Sequence, residues 1–511
     1  MRSKSAQVPK RSQGRLQEGC KMHYSEELIK QVLNIGISLT VEKDREKLLY
    51  HILDYSMKIA NADAGTLYIL KEGFLHFAIM RTISMHVERV FEGGDAADSI
   101  PPVPLKEENI CAYCAMHKKV LNIEDVYGSD EFNFAGPKKY DAMTGYHTGS
   151  MVAIPLVDQD EKVLGVIQLI NSLDENNRIV PFAQDLMDIL MSLASQASIA
   201  LSNMQYREDL QAQMWSFTEA MTEAIDSRTP YNASHSRNVA KYVGILADYI
   251  NELHEAGKTD DAFNTQRKDS LLMGAYLHDI GKMAVPTAVM NKAKRLGKGT
   301  EKIEQRLRAI ALEAKIDLLQ GAINQAAYEA ELAREEKAIA IANKANEAGF
   351  LTDDLLAELK EVLDAAYITG DGRALSYFSE EERGFLQIRK GTLTDDERKI
   401  MESHASVTKR ILSKVYFGEY FANSPIWAAQ HHECLDGSGY PDHLKAEDLA
   451  LESRMMAVAD ICDALLATDR PYKKPMPKEK AFAIMHDMAA HGKLEDRLVT
   501  YLEEALAKNE P

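Results

Sequence analysis

The chain has 511 residues, of which 45% are hydrophobic and 27% are charged, and its formal net charge is −18. A chain of this length is too long for a single hydrophobic core, so two or three domains are expected, and so acidic a surface argues against nucleic-acid binding. Five scattered cysteines, no signal-like segment near Met1 and no apolar run of about 18 residues predict a cytoplasmic protein without a membrane span.

Residues 1–24 form a basic, polar leader. Its basic residues are Arg2, Lys4, Lys10, Arg11, Arg15 and Lys21, which stand among Ser, Gln and Gly. No apolar face accompanies these charges, so a disordered segment is predicted in preference to a membrane-binding patch.

The next region, residues 25–205, has the pattern of an α+β domain. Apolar residues recur at helical spacing over 26–61, and short strand-like runs follow at 65–70, 75–82, 150–157 and 163–171. These runs predict an antiparallel sheet flanked by helices.

Segments 109–114, 121–127, 144–151 and 165–171 resemble GAF sensory domains, especially those that bind cyclic nucleotides. Of the Asn-Lys…Phe…Asp-Glu signature of that subtype, this chain has Asn171, Phe182 and Asp185, whereas Ser172 and Leu186 replace the charged members. The resemblance implies a small-molecule sensor but does not identify its ligand; a cyclic nucleotide is one candidate.

Cys111 and Cys114 form a Cys-x-x-Cys motif close to His117. Such a motif can bind metal or haem, or cycle as a dithiol. The sequence offers no second half for a four-ligand zinc site, so a pair of buried apolar cysteines is the favoured interpretation.

A long linker helix is predicted over residues 182–228. Two runs of apolar residues step by four and three, in phases that differ near Arg207: Leu186, Leu190, Leu193, Ala197, Ala200 and Met204, then Leu210, Met214, Phe217, Met221 and Ala224. This step is typical of a parallel coiled coil and predicts a homodimer through the helix. The alternative is that each half packs on its own domain.

Three later segments carry histidines with carboxylates. They are 277–282 with His278 and Asp279, the helix that contains His404, and 431–441 with His431, His432, Gly439, Tyr440 and Pro441. Imidazoles and carboxylates without cysteine suit Fe, Mn or Zn, and one carboxylate can bridge two ions. The pattern predicts a dinuclear hydrolytic centre, with His278 and Asp279 on a helix that faces a core. Neighbours in a helix point about 100° apart, so the pattern leaves open whether one or both of His431 and His432 bind metal.

The order of these segments resembles the HD-GYP family, the cyclic di-GMP phosphodiesterases among the HD metallohydrolases. The resemblance covers 215–508 and implies an all-α domain that binds two divalent ions, with Fe or Mn favoured. The implied metal ligands are His235, His278, Asp279, His404, His431, His432 and Asp460. The implied catalytic residues are Asp279 and Lys282, and the implied substrate contacts are Lys282, Gly439, Tyr440, Pro441, Arg470 and Lys473.

The same resemblance implies how the ligands are shared. One ion would take His235, His278, Asp279 and Asp460, and the other would take Asp279 with His404, His431 and His432. Relatives that hold a third ion have a glutamate four residues before the first histidine, where this chain has Tyr231. Two ions are therefore expected.

Residues 293–391 interrupt the resemblance. This segment is rich in Ala, Glu, Lys and Leu, and its apolar residues recur at helical steps. It predicts an inserted helical hairpin, either a partner-binding or dimerisation element or a solvated spacer.

The resulting hypothesis is a GAF sensor, a linker helix and a phosphodiesterase that converts cyclic di-GMP to pGpG, with further hydrolysis to GMP left open. One alternative is an HD phosphohydrolase for another cyclic dinucleotide. The other is a receptor that binds cyclic di-GMP without turnover and signals through the inserted hairpin.

Overall fold

The computed structural model describes residues 26–91, 100–228, 234–297, 299–467 and 476–508. The chain divides into two compact units, on either side of the peptide bond between Gln211 and Ala212. The predicted leader lies outside the described residues. Among the described helices, none combines the length and the apolar character that crossing a membrane requires.

The N-terminal unit is the expected α+β domain. Its strands are β1 (Ala62–Lys71), β2 (Phe74–Thr82), β3 (Val87–Val90), β4 (Val103–Pro104), β5 (Leu121–Ile123), β6 (Met151–Val157), β7 (Val163–Leu173) and β8 (Ile179–Val180). All of them pair antiparallel, in the order β3-β2-β1-β7-β6-β5, with β4 beside β2 and β8 beside β7. The four long strands are those that the sequence predicts.

Helices cover both faces of this sheet. One face packs on α1 (Glu26–Val41), α2 (Arg45–Ala60) and the first part of α5 (Leu186–Asp226), and the other packs on α3 (Ile110–His117). A further helix, α4 (Ala135–Thr144), precedes β6. The helical pattern over 26–61 corresponds to two helices. The second one, α2, begins after Asp44, whose side chain caps it by accepting a hydrogen bond from the backbone N–H of Lys47.

The long linker helix is confirmed as α5, which runs without interruption past Arg207. Residues of the first half of the expected seam, from Leu190 to Met204, are buried in the core of the N-terminal unit. Met214 and Met221 of the second half pack on a core of the C-terminal unit. Each half therefore packs on its own domain, and the change of phase marks the passage from one core to the other.

The C-terminal unit is mainly helical. Its helices after α5 are α6 (His235–Glu255), α7 (Thr265–Leu277), α8 (Thr287–Met290), α9 (Thr300–Leu319), α10 (Gln325–Glu347), α11 (Asp353–Leu363), α12 (Glu380–Leu386), α13 (Asp395–Leu412), α14 (Ser424–Ala429), α15 (Leu451–Leu466), α16 (Lys478–Ala490) and α17 (Asp496–Lys508). Helices α6, α7, α15, α16 and α17 share one apolar core. That core fixes α6 and α15, which carry His235 and Asp460, and α7, which ends immediately before His278.

The segment 293–391 is more elaborate than the predicted hairpin. Helices α9 to α12 are accompanied by a two-stranded antiparallel sheet, β9 (Ala366–Ile368) and β10 (Ala374–Ser376), and they surround a hydrophobic core of their own. The buried guanidinium of Arg295 donates to the carbonyl oxygens of Ala345, Ala348 and Ile388. An apolar core of its own is the mark of a folded subdomain and argues against a solvated spacer.

Candidate metal centre

His278 and Asp279 lie at the junction between α7 and a short 3₁₀ helix, Ile280–Ala284, and not inside a helix as the periodicity predicted. Both side chains are buried. The next element, α13, comes very close: a Cβ on Gly281 would stand 1.9 Å from the carbonyl oxygen of His404. Glycine at this position thus permits the approach that brings His404 to the pair.

The other histidines are positioned by local structure that the sequence partly encodes. Helix α13 begins with the predicted capping box, in which Thr394 and Glu397 satisfy each other's backbone N–H groups, and it carries His404 inward. His431 and His432 follow the end of α14, in a turn. The two histidines are not neighbours within a helix, so their side chains need not point about 100° apart. Both rings face the site.

Two compact groups of metal-type donor atoms result. His235, His278 and Asp279 form one group, and His404, His431 and His432 form the other; within each group the donor atoms lie within 4.8 Å of one another. In the first group, Nε2 of His235 is 3.3 Å from Nε2 of His278. In the second group, the Nε2 atoms of His404 and His431 are 3.4 Å apart.

Asp279 lies between these two groups. Its Oδ2 is 3.4 Å from His235 Nε2 and 3.3 Å from His278 Nε2. Its Oδ1 is 3.4 Å from His404 Nε2 and 3.9 Å from His431 Nε2. One carboxylate thus presents one oxygen to each group, which is the arrangement of a bridging ligand.

Asp460, on α15, also faces both sides. Its Oδ1 is 3.1 Å from His235 Nε2, and its Oδ2 is 3.7 Å from His432 Nδ1. The resemblance assigns Asp460 to the first ion alone, whereas its second oxygen lies next to the second group.

Hydrogen bonds to the Nδ1 atoms orient the rings. Nδ1 of His278, His404 and His431 lies 2.6–2.7 Å from the carbonyl oxygen three residues earlier, so each N–H donates locally and each Nε2 points at the centre. Nδ1 of His235 is 2.6 Å from Oδ2 of Asp463, a buried carboxylate that the sequence analysis missed. The available signal in the sequence was the spacing of Asp463, which follows Asp460 by one helical turn.

The protonation states suit cation binding. Burial lowers the pKa of His404 and His431, and it lowers the pKa of His432 to about 4, so these rings are neutral near pH 7. Burial would raise the pKa of Asp279, but the positive charge of Lys282 and the neighbouring imidazoles hold it well below its ordinary range. Metal ligands must be neutral imidazoles and ionised carboxylates, as these are.

His235 differs from the other histidines. Burial disfavours its protonated form, but its pKa is raised well above the ordinary value by hydrogen bonds to Asp279, Asp460 and Asp463. The carboxylates that stabilise a proton on this ring are the same ones that face the donor groups, so a cation and this proton would compete for them.

The donor set fits divalent metal ions. Oδ1 of Asp279 is buried and has no hydrogen-bond partner, although an uncompensated buried carboxylate oxygen is costly. Ligands about 2.1 Å from a shared ion stand roughly 3.4 Å apart when tetrahedral, close to the separations within each group. The residues present could therefore hold two ions.

A cavity next to the first group is lined by residues that include His235, Asp279, Lys282 and Asp226. The Lys282 amine donates a hydrogen bond to Oδ2 of Asp279, so its positive charge lies at the wall of the site. Asp226, near the C-terminal end of α5, was not predicted. Its Oδ2 is buried without a hydrogen-bond partner, and burial raises the pKa of its carboxyl to about 6.

The turn over 437–441 lies beside His432 of the second donor group. The Tyr440 ring lies against His432 with the ring centroids 4.7 Å apart, and a Cβ on Gly439 would meet the backbone N of Cys434 at 2.3 Å. The buried Glu433 carboxylate accepts the backbone N–H groups of Asp442 and Leu444, which anchors the end of the turn. The substrate contacts predicted for this turn stay a prediction, and Arg470, Lys473 and Tyr231 lie outside the described residues.

In the N-terminal unit, the candidate residues are part of the fold. Cys111 and Cys114 are free and buried, and burial raises the pKa of both thiols, that of Cys111 to about 12. Among the described residues, neither metal-type cluster includes them. The Asn171 amide accepts from the backbone N–H of Gly149 and donates to the carbonyl oxygen of His147, so it secures a loop.

Family models match both parts of the chain. A model described as "GAF domain" matches residues 44–201, and two models described as "HD domain" match residues 232–348 and 382–498. The chain contains a GAF domain and an HD domain. The two HD-domain matches are separated within the segment 293–391, where the sequence analysis places the insertion.

Relatives of known activity are similar to part of the chain. The cyclic di-GMP phosphodiesterase response regulator RpfG of Xanthomonas campestris is 39% identical over 109 residues, 21% of this chain and 28% of that protein. A cyclic di-GMP phosphodiesterase of Thermotoga maritima is 40% identical over 115 residues, with the same shares. The 3′3′-cGAMP-specific phosphodiesterase 3 of Vibrio cholerae is 36% identical over 118 residues, 23% of this chain and 25% of that protein.

The chain thus spans between 25% and 28% of the length of these relatives. Among solved structures, the GAF domain of Acinetobacter phosphoenolpyruvate-protein phosphotransferase is 13% identical, with 36% of this chain and 97% of that chain covered and a TM-score of 0.28.

Proposed function

We propose that the chain is a metal-dependent phosphodiesterase that hydrolyses cyclic di-GMP to pGpG under the control of its GAF domain. The sensor would occupy 25–205, the linker 182–228 and the HD-GYP catalytic domain 215–508, interrupted by the insertion at 293–391. The relatives named above as cyclic di-GMP phosphodiesterases support this substrate.

The position of Asp279 is the observation that carries the proposal. Its two oxygens each lie within 3.4 Å of an imidazole Nε2, and these nitrogens belong to different groups. A two-ion hydrolase needs a bridging carboxylate, whereas an ordinary histidine-rich core does not need one. The complete set of donors also argues against a receptor without turnover.

Two divalent ions bound here would activate water at neutral pH and stabilise the attacking and leaving oxygens of an in-line displacement. His235, His278, Asp279 and Asp460 would hold one ion, and Asp279, His404, His431 and His432 would hold the other. The resemblance to the HD-GYP family favours iron or manganese, and donors that are nitrogen and oxygen only suit both metals.

The remaining residues bind and orient the substrate. Lys282, whose amine lies at the cavity wall, would contact a phosphate oxygen, and Arg470 and Lys473 would contact the phosphates as a bidentate fork and a point charge. Tyr440, packed on His432, offers a flat apolar surface, and Gly439 and Pro441 shape the turn around it. Local cations are needed because the chain as a whole is acidic.

A turnover assay tests this function. We expect the anaerobically purified full chain, loaded with Fe or Mn, to convert cyclic di-GMP to pGpG, and a chelator to stop the reaction. Product analysis by chromatography would also detect GMP. A metal-loaded, folded chain that binds cyclic di-GMP but leaves it intact would contradict the proposal and favour the receptor.

A second substrate has a specific observation in its favour: one relative is named as 3′3′-cGAMP-specific. The metal donors act on the phosphodiester and do not distinguish these substrates, so the pocket must decide. Parallel measurements of kcat/KM with cyclic di-GMP and 3′3′-cGAMP separate the two, and a higher value for 3′3′-cGAMP would replace cyclic di-GMP as the substrate.

The GAF domain would bind a small regulatory molecule, with a cyclic nucleotide as the first candidate. Its ligand would change turnover only through different affinities for two states of the chain. Both the substrate and the free thiols of the described cysteines favour a reducing cytoplasm. Titration of cyclic AMP and cyclic GMP into the turnover assay tests the sensor; a response to neither compound would exclude both as its ligand.

A further inference from the structure

Arg228 binds the backbone of the segment that carries Lys282. Its Nη1 donates hydrogen bonds to the carbonyl oxygen of Lys282, at 3.1 Å, and to that of Met283, and its Nη2 donates to the carbonyl oxygen of Val285, at 3.3 Å. These acceptors lie at the C-terminal end of the 3₁₀ helix Ile280–Ala284, where a helix leaves carbonyl oxygens without internal partners. The guanidinium therefore satisfies them and restrains the backbone of Lys282.

The positive charge of Arg228 has no carboxylate partner in the described part of the chain. The carbonyl oxygens that it binds are uncharged. Asp226, two residues earlier, does not pair with it, and the Oδ2 atom of that carboxylate is buried without a hydrogen-bond partner. Arg237 of the same unit differs, because its Nη2 lies 2.8 Å from Oε2 of Glu223. The charge of Arg228 can therefore act on an anionic ligand.

Arg228 also lines the cavity beside the first donor group, together with His235, Asp279 and Lys282. The Lys282 amine donates to Oδ2 of Asp279, so a carboxylate partly neutralises its charge. Because Asp226 and Asp279 line the same cavity, an anionic ligand needs a positive charge there that is not already paired. Among the described lining residues, Arg228 meets this requirement.

The hydrogen bonds to the backbone leave one edge of the Arg228 guanidinium for a ligand. The guanidinium has five N–H groups, and the three bonds to carbonyl oxygens use Nη1 and Nη2. The Nε–H and the Nη2–H beside it form an edge that can bind a phosphate through two parallel hydrogen bonds. The backbone contacts hold this edge in place before a ligand arrives, which reduces the entropy lost on binding.

We propose that Arg228 binds the phosphodiester of the substrate and holds it beside the first donor group. The non-bridging oxygens of a phosphodiester share one negative charge, and they match the N–H fork of a guanidinium. Lys282, in the segment that Arg228 restrains, would contact the same phosphate as a point charge. This role presupposes the proposed function, which it extends by a substrate contact that the sequence motifs did not include.

A purely structural role for Arg228 is the alternative, and Arg295 shows what such a role looks like. The Arg295 guanidinium also donates to three carbonyl oxygens, but its side chain is fully buried and is not among the residues that line the cavity. Arg228 is only partly buried and is one of the lining residues. A contact with the backbone alone does not require access to the cavity, so this position favours contact with a ligand.

Titration calorimetry with inorganic phosphate tests the contact on the metal-loaded full chain. Removing a charge-assisted, bidentate contact should weaken binding, so we expect Arg228→Gln to bind phosphate about 10- to 100-fold more weakly than the wild type. Arg228→Lys keeps the charge but loses the fork, so its affinity should lie between the two. Arg237→Gln is the matched control, because it removes a guanidinium that is 52% exposed and paired with Glu223, and it should bind phosphate like the wild type.

Metal analysis and urea unfolding of the same variants separate this role from a structural one. We expect wild-type metal content in both Arg228 variants, because a guanidinium is not a metal ligand. A structural role alone would lower the free energy of unfolding and leave the phosphate affinity unchanged. Equal phosphate affinity in the wild type and Arg228→Gln, at full metal content, would overturn the proposal. If Arg228→Gln does not fold, Arg228→Lys decides, and wild-type affinity in that variant would overturn it.

Turnover gives a second readout. With cyclic di-GMP, Arg228→Gln should lose at least about tenfold in kcat/KM, mainly through a higher KM, and an unchanged KM would contradict the contact. The phosphate titration needs no turnover. A wild type that leaves cyclic di-GMP intact, combined with a loss of phosphate affinity in Arg228→Gln, would therefore refute the proposed function and support this contact.

Discussion

Nδ1 of His235 lies 2.6 Å from Oδ2 of Asp463, and this makes His235 the one proposed metal-binding histidine whose ring is oriented by a carboxylate in the described structure. Such carboxylate–histidine pairs fix the tautomer and increase the basicity of the ligating nitrogen. Asp463 therefore acts on the metal site through His235.

Asp463→Asn should weaken metal binding, because the amide can still accept the N–H of His235 but has lost the negative charge. The expected loss of metal affinity is about 10- to 100-fold, with the fold retained. Competition with a chelator, followed by metal analysis, measures it. Asp487→Asn, at an exposed carboxylate of α16, is the control, and equal affinities in the two variants would show that Asp463 has no such role.

Asp279→Ala tests the bridge. Removing the carboxylate takes away the ligand shared by both imidazole groups, so we expect loss of both stoichiometric metal and turnover. Asp396→Ala, at an exposed position of α13, should change neither. Metal analysis and the cyclic di-GMP assay are read together, with circular dichroism to check the fold. A variant with its full metal content and near-normal turnover would exclude the bridging role.

Membership of the site was easier to predict from the sequence for residues in contiguous motifs than for residues that come from elsewhere in the chain. His278, Asp279, His404, His431 and His432 do meet, because their spacing and the capping box of α13 are local signals. The side chains that surround them depend on tertiary packing. Asp463 was signalled only by its helical spacing from Asp460, and nothing in the sequence around Asp226 indicates a buried carboxylate.

The same limit applies to the helices. The α1 and α5 patterns correctly predicted helices, but periodicity alone does not say which stripe a core will cover. The more regular stripe of α5, from Leu190 to Met204, is used by the N-terminal core. The less regular one, with Tyr206 and Leu210, is exposed. The pair β9 and β10 was missed because three-residue strands are too short to show alternation.

A pH effect on stability follows from His432. Its pKa falls from the ordinary 6.5 to about 4 in the folded chain, because burial disfavours its charged form. The unfolded chain binds more protons between these values, so this group destabilises the fold as pH falls from about 6.5 to about 4. Its contribution is about 1.4 kcal/mol per pH unit within that window.

Urea unfolding of the metal-free chain at several pH values measures the effect of His432. The free energy of unfolding of the wild type should fall more steeply between pH 6 and pH 4.5 than that of His432→Gln, which lacks the titrating ring. Titrating groups distant from His432 are common to both proteins, so the difference between the two curves reports on His432 and the buried groups that interact with it, His431 and Asp460 among them. Parallel curves for the two proteins would show that His432 is not responsible.

The metal count is a further prediction. Tyr231 stands where relatives with a third ion have glutamate, and a phenol with a pKa of about 10 is a poor anionic ligand near neutral pH. We expect two tightly bound ions per chain and slow hydrolysis of pGpG relative to cyclic di-GMP, so that pGpG accumulates. Three tightly bound ions, or GMP formed without accumulation of pGpG, would show that the expectation is wrong.

Asp226 gives a prediction in which stability and activity change in opposite directions. Its carboxyl pKa is raised from 3.8 to about 6 by burial, so the folded chain binds more protons than the unfolded chain in that range. Stability is therefore lost as pH rises from about 4 to about 6, and the full cost, up to about 3 kcal/mol, applies above that range.

Replacing Asp226 by Asn should remove this cost. We expect the metal-free variant to be more stable than the wild type at pH 8 and equal to it near pH 4, as measured by urea unfolding. Because Asp226 lines the cavity with Asp279 and Lys282, we also expect the metal-loaded variant to lose at least about tenfold in turnover, which is the trade-off typical of a functional residue. Asp269→Asn, at a carboxylate that accepts a hydrogen bond from Tyr420, is the control for turnover. Greater stability at pH 8 with unchanged turnover would show that Asp226 destabilises the fold without contributing to turnover.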